Sequence, residues 1–206
     1  MRKNVDKAEA DLAPSSVYAC FDLQKVMNIP KNPVGRLYYL RKLNVYNLTF
    51  WSNSKKKEVK IGFVWQEGEA NSGANEVASA VLYYMTNMEM EHDVSFCFGR
   101  TTVRAKTKVN FLLPCTMYTW VAAQLKVKIV HRYMERGHTQ NEADNIHQVI
   151  EKASKPRDVN HPDQWYDIIQ KAKVQREAYI VVKLMEHIHD FHELAEVHQR
   201  WTQPNV

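Results

Sequence analysis

An α/β fold, a mixed sheet flanked by helices, is predicted by three features of this chain. Two strand-like runs, 37–51 and 59–66, flank the polar turn Ser52-Asn53-Ser54-Lys55-Lys56-Lys57 and read as a hairpin. Segments of helical and of strand period then alternate to about residue 182. An antiparallel hairpin followed by alternating helices and strands closes most simply into one mixed sheet with helices packed on it.

Taken in order, residues 1–15 form a charged leader. Ser16 to Gln24 is apolar and aromatic enough for a buried strand, and Asn28-Ile29-Pro30-Lys31-Asn32-Pro33 breaks it. In the first hairpin arm Val45, Asn47 and Thr49 alternate with Tyr46, Leu48 and Phe50, the period of a strand. The lysines at 55–57 mark the hairpin tip. Ala74 to Met90 carries Val77, Val81, Tyr84, Met85 and Met88 at helical spacing. His92 to Gly99 reads as a short strand, Val109 to Leu125 as a helix and Lys126 to Tyr133 as a strand. Thr139 to Ala153 is a helix opened by the capping box Thr139-x-x-Glu142. His161-Pro162 starts a further helix running towards Lys173, Tyr179 to Val182 is strand-like, and the His-rich stretch 186–201 reads as helix. A boundary near Lys155 divides a core of 16–155 from a mostly helical C-terminal extension of 156–206.

The chain has 206 residues, of which 45% are hydrophobic and 11% aromatic, enough to bury a core. The formal charge is +5 and the pI about 9.0, which permits a nucleic-acid partner without requiring one. Cys20, Cys97 and Cys115 are scattered, with no CxxC, so a disulfide framework is not expected and a reducing compartment is. No signal-like or bilayer-length apolar run occurs, so the expected setting is intracellular, with no membrane partner.

Phe21-Asp22-Leu23-Gln24-Lys25-Val26, Tyr38-Tyr39-Leu40-Arg41-Lys42-Leu43-Asn44-Val45-Tyr46-Asn47-Leu48, Asn75-Glu76-Val77-Ala78-Ser79, Gly137-His138-Thr139, Asp144-Asn145-Ile146-His147 and Ile150-Glu151-Lys152 occur in this order. Across about 18–185 they resemble the transposase-derived, ribonuclease H-like (DDE/D-type) proteins of unknown function that are widespread in insect and cnidarian genomes. The resemblance implies a ribonuclease H-like sheet with one acid on the first strand, one at the end of the fourth and one on the helix after the fifth. Asp22 and Asp144 fill the first and third places. It also implies nuclear localisation, DNA as a partner with a protein partner as the alternative, and Mg²⁺ as the cofactor of any surviving activity. At the fourth strand the family carries a Ser-Asp-x-Cys-Gly-Gly-Gln-Asn-like tract, and this chain has Val94-Ser95-Phe96-Cys97-Phe98-Gly99-Arg100-Thr101-Thr102. Alignment on Cys97 puts Ser95 at the acidic position, with Asp93 as the fallback acid. The implied function is a transposon-derived domain, catalytically impaired, that binds nucleic acid or protein. An active Mg²⁺-dependent nuclease using Asp22, Asp93 and Asp144 is one alternative, and a pure protein-interaction domain with a vestigial cleft is another.

Converging carboxylates are what phosphodiester cleavage requires, because they hold the divalent ions that activate water and stabilise the leaving oxygen. An acid inside an apolar strand, as Asp22 is, costs free energy unless something pairs it. Glu151 is a candidate third metal ligand, and Glu142 either assists or caps its helix. His138 could reach a metal-bound water or simply pack on the helix start, and His147 lies near Asp144 on nearly the same helix face, placed to orient it or to face solvent. Arg100, Arg104, Lys106 and Lys108 follow the fourth strand and are the candidate phosphate contacts. In the tail, His187, His189, His192 and His198 do not meet the HExxH spacing and fit an amphipathic helix better than a zinc site.

Overall fold

The computed structural model describes residues 16–32, 41–54, 57–87, 95–98, 109–131, 142–173 and 178–191. Their strands are β1 (Ser16–Leu23), β2 (Met27–Ile29), β3 (Leu43–Ser54), β4 (Lys57–Gln66), β5 (Ser95–Phe98), β6 (Lys128–His131) and β7 (Ile180–Lys183). The helices are α1 (Ala74–Asn87), α2 (Val109–Leu125), α3 (Glu142–Ser154) and α4 (Pro162–Gln170). The strands form one sheet in the order β6-β5-β1-β3-β4-β7, with β2 paired to β3. β1, β3 and β4 make an antiparallel meander, whereas β5 lies parallel to β1, β6 to β5 and β7 to β4.

Strict alternation along the central strands separates two cores. Val17, Ala19 and Phe21 of β1, Leu48 and Phe50 of β3, and Ile61, Phe63 and Trp65 of β4 pack with α1 and α2. There Phe50 lies 5.0 Å from Tyr84 and 5.2 Å from Phe63 between ring centroids. Tyr18 and Cys20, Val45 and Trp51, and Val64 face the other way, onto Ile146 and Ile150 of α3 and Trp165, Ile168 and Ile169 of α4. Covering both faces leaves polar side chains in the interior: Asn47, Thr49 and Ser52 of β3 and Gln24 just after β1 are all buried.

Local chemistry sets the helix starts. Glu76 accepts hydrogen bonds from the backbone of Asn71 (3.0 Å) and Gly73 (2.8 Å), satisfying amides ahead of α1. The α4 start has Pro162 at its first turn, His161 accepting from Asp163 N and Gln164 accepting from His161 N at 3.0 Å. α2 is followed directly by Lys126, a non-glycine residue at φ 53°.

Three expectations change. The segment around 28–33, read as a break, contains β2, which pairs with β3 through Met27–Val45 and Ile29–Leu43. The expected helix over 186–201 is, in its described part, a 3-10 turn (Leu184–His187) followed by irregular chain to Phe191. The described residues after 155, expected as a separate extension, pack into both cores. α4 closes the second core, β7 completes the sheet edge and Leu184 is fully buried in the first core. None of the described helices is long and apolar enough to cross a membrane.

Candidate metal centre

The second core's edge carries the site. Asp22 follows Tyr18 and Cys20 on the same strand face and lies opposite Thr49, which in turn lies opposite Gly62. One Asp22 carboxylate oxygen accepts the Leu23 backbone N–H at 3.0 Å, which restricts the side chain. Beyond it the chain is held down by polar groups. Gln24 N donates to the Asn47 carbonyl at 2.9 Å, and the Asn47 amide donates to Gln24 Oε1 at 2.9 Å and Thr49 Oγ1 at 3.1 Å.

α3 meets this strand with the stripe Ala143, Ile146, His147, Ile150 and Ser154, the spacing of one buried helix face. Acids Glu142 and Asp144 sit in its first turn and Lys152 in its last, as the helix dipole favours. Asp144 stands at the margin of the stripe and is half-buried, like Asp22. Asp22, Asp144 and His147 each offer one ligand atom, and these atoms lie within 4.8 Å of one another. Burial pushes the His147 imidazole down to about 4, with the nearby Asp144 charge pulling the other way. The ring is therefore neutral at physiological pH and keeps a lone pair to give. Its Nε2 is buried and has no hydrogen-bond partner among the described residues. Two carboxylates and a neutral imidazole from two packed elements are a donor set that fits a divalent cation.

The remaining candidates fall elsewhere. Glu142 accepts a hydrogen bond from the Cys20 thiol at 3.5 Å, an interaction not foreseen from its place in a capping box. Burial pushes that thiol up to about 12, with the Glu142 charge adding to the effect, so Cys20 stays protonated and offers no thiolate to an ion. Glu151 is exposed, two turns beyond Asp144, and is not one of the three grouped residues. Ser95 does not stand beside Asp22. The parallel register sets Ser95 opposite Ser16, at the other end of β1, roughly 20 Å from Asp22 along the strand. The described β5 ends with Phe98 opposite Ala19, short of Asp22. Asp93, His138, Arg100, Arg104, Lys106 and Lys108 lie outside the described residues. From sequence His147 could orient Asp144 or face solvent; it is buried, and its approach to both carboxylates depends on how α3 sits on β1.

No family model and no curated protein matches this chain. Among solved structures it is similar to a crystal structure of NurA at 10% identity and a TM-score of 0.25, over 84% of this chain and 43% of that one. NurA bound to dAMP and manganese gives 12% identity and a TM-score of 0.25 over 84% and 42%, and NurA with manganese gives 12% and 0.22 over 99% and 55%. The chain thus spans about half the length of these NurA chains. Likeness at this level carries no argument about fold or function. The chain is an α/β protein with a mixed, helix-covered sheet whose first strand and third helix bring two carboxylates and an imidazole together.

Proposed function

We propose that this chain is a ribonuclease H-like, transposase-derived domain that binds a divalent cation at Asp22, Asp144 and His147 and, through it, the phosphate backbone of DNA. Strand cleavage is impaired. The observation that carries this reading is the convergence of the three ligand atoms within 4.8 Å. The strand order supports it too. A three-stranded meander extended on the β1 side by two parallel strands, with an acid on β1 and another on the helix after β6, is the arrangement expected of that fold.

A bound ion would supply positive charge for a phosphate oxygen. Two carboxylates balance the charge of one divalent ion but not of two. The sequence following β5, Gly99-Arg100-Thr101-Thr102, adds no carboxylate. The donor set therefore suits holding a phosphate better than two-ion cleavage. Arg100, Arg104, Lys106 and Lys108, next in sequence after β5, are assigned to further phosphate contacts.

The test is fluorescence anisotropy of a labelled DNA duplex at fixed salt, with MnCl₂ or with a chelator, for native and Asp22→Asn protein. Native affinity should fall by about tenfold or more on chelation, while the variant should be weak and indifferent to the ion. Native binding that ignores the chelator would refute an ion-mediated role. Mn²⁺-dependent nicking that disappears in Asp22→Asn would refute the impairment.

A further inference from the structure

We infer that His147 selects the ion, so that the centre takes Mn²⁺ or a later first-row cation in preference to Mg²⁺. The inference rests on the metal-binding reading above and narrows it to a class of cation.

The donors come first. A centre meant for Mg²⁺ is built from oxygen, because that ion is hard and sheds its waters reluctantly. Here one of three donors is an imidazole nitrogen, a ligand that suits transition ions and that gains strength along the first row. The imidazole is also not free to leave. His147 is 8% exposed, lies between Ile146 and Ile150 on the stripe that α3 buries, and is fixed by the packing of the second core. Asp144 and His147 are three residues apart on one helix and so present a rigid pair, with Asp22 approaching from the strand. The third observation is independent of the acids. An imidazole buried for packing alone would be expected to satisfy both ring nitrogens, yet Nε2 of His147 has no hydrogen-bond partner among the described residues. An ion bound at Nε2 would supply what the described side chains do not.

The full chain, stripped with a chelator, is titrated separately with MgCl₂ and MnCl₂ by calorimetry. Native protein should bind Mn²⁺ at least about tenfold more tightly than Mg²⁺. Pulsed electron paramagnetic resonance of the Mn²⁺-loaded native chain should show ¹⁴N coupling, and Asp22→Asn should lose it, which locates the ion. In His147→Gln the coupling should vanish and the Mn²⁺/Mg²⁺ ratio fall towards unity. Should that variant not fold, the native spectrum with its Asp22→Asn control decides the question. Equal affinities for the two ions, or bound Mn²⁺ without ¹⁴N coupling, would overturn the role of His147 and leave a two-carboxylate site standing. Failure of the native chain to bind either ion would overturn both readings.

Discussion

Replacing Asp144 by asparagine should reverse its effect on stability according to whether the ion is present. In the ion-free chain, carboxylates of Asp22 and Asp144 offer ligand atoms within 4.8 Å of each other. Two unit charges at that separation repel by about 1 kcal/mol at the dielectric of water and by roughly 3.5 kcal/mol at an effective value of 20. Both side chains keep a solvent-exposed side, and screening there holds the repulsion near the lower figure. Removing one charge should therefore raise the melting temperature in chelator by about 2–4 °C for a chain of this size. With Mn²⁺ at a hundred times its dissociation constant, the native chain gains about 2.7 kcal/mol, or roughly 5–10 °C. A charged ligand lost at a cost of about a hundredfold in affinity leaves the variant only about 0.4 kcal/mol at the same Mn²⁺. Differential scanning fluorimetry over a Mn²⁺ series, with a chelator arm, reads both numbers. The variant should melt above the native chain in chelator and below it in Mn²⁺. A variant less stable in both arms would show that Asp144 serves the fold, and an unchanged Mn²⁺ gain would remove it from the centre.

Other outcomes follow from features away from the ion. Burial lowers the His131 pKa from its ordinary 6.5 to about 4, so the neutral ring is favoured in the folded state. Its stabilising contribution is complete above 6.5 and is lost as pH falls towards 4; His147 adds a loss of its own over the same window, so urea titrations in chelator should show the native chain losing about 2 kcal/mol more than His131→Phe between pH 7 and 5. Lys126 sits at φ 53° after α2, where a side chain crowds the backbone, and Lys126→Gly should raise stability by about 0.5–1 kcal/mol in the same titration. A Cβ at Gly62 would stand 3.0 Å from Asn47 Oδ1 and 3.4 Å from Ile169 Cγ2, so Gly62→Ala should cost about 1–3 kcal/mol, and a neutral result would mean that the Asn47 side chain yields easily.

Long, strongly patterned elements were legible in the sequence. Alternation through Val45–Phe50 found β3, and the apolar length of Val109–Leu125 gave α2 the bounds it has in the structure. β2 was hidden because three residues beside a proline carry turn chemistry, and their pairing with β3 is a tertiary event. Asn47 and Thr49 take the polar places of the alternation, which usually face solvent; helices on both faces bury them instead. At the site, Asp22 was visible as an acid in an apolar run and Asp144 as an acid at the edge of a helical stripe. His147 was harder to assign, since helical period reports burial and not chemistry. The place of Ser95 relative to Asp22 was not legible, for a geometric reason. A parallel ladder leaves no trace of its register in sequence, so one matching cysteine could not show that Ser95 lies opposite Ser16.

The last strand has a consequence for self-association. β4 runs over Lys57–Gln66, but β7 covers only Ile61–Val64 of it. Those four residues, Ile-Gly-Phe-Val, carry no charge, whereas the neighbouring stretch that β7 leaves uncovered begins Lys57-Glu58-Val59-Lys60. Charged side chains discourage a foreign strand from adding to an open edge. The apolar part of the edge relies instead on the chain's own residues 180–183, which arrive more than a hundred positions later. A polypeptide that ends, or has been synthesised, only as far as residue 173 would lack β7 on the outer side of Ile61–Val64, and would be more prone than the full chain to polymerise through its sheet.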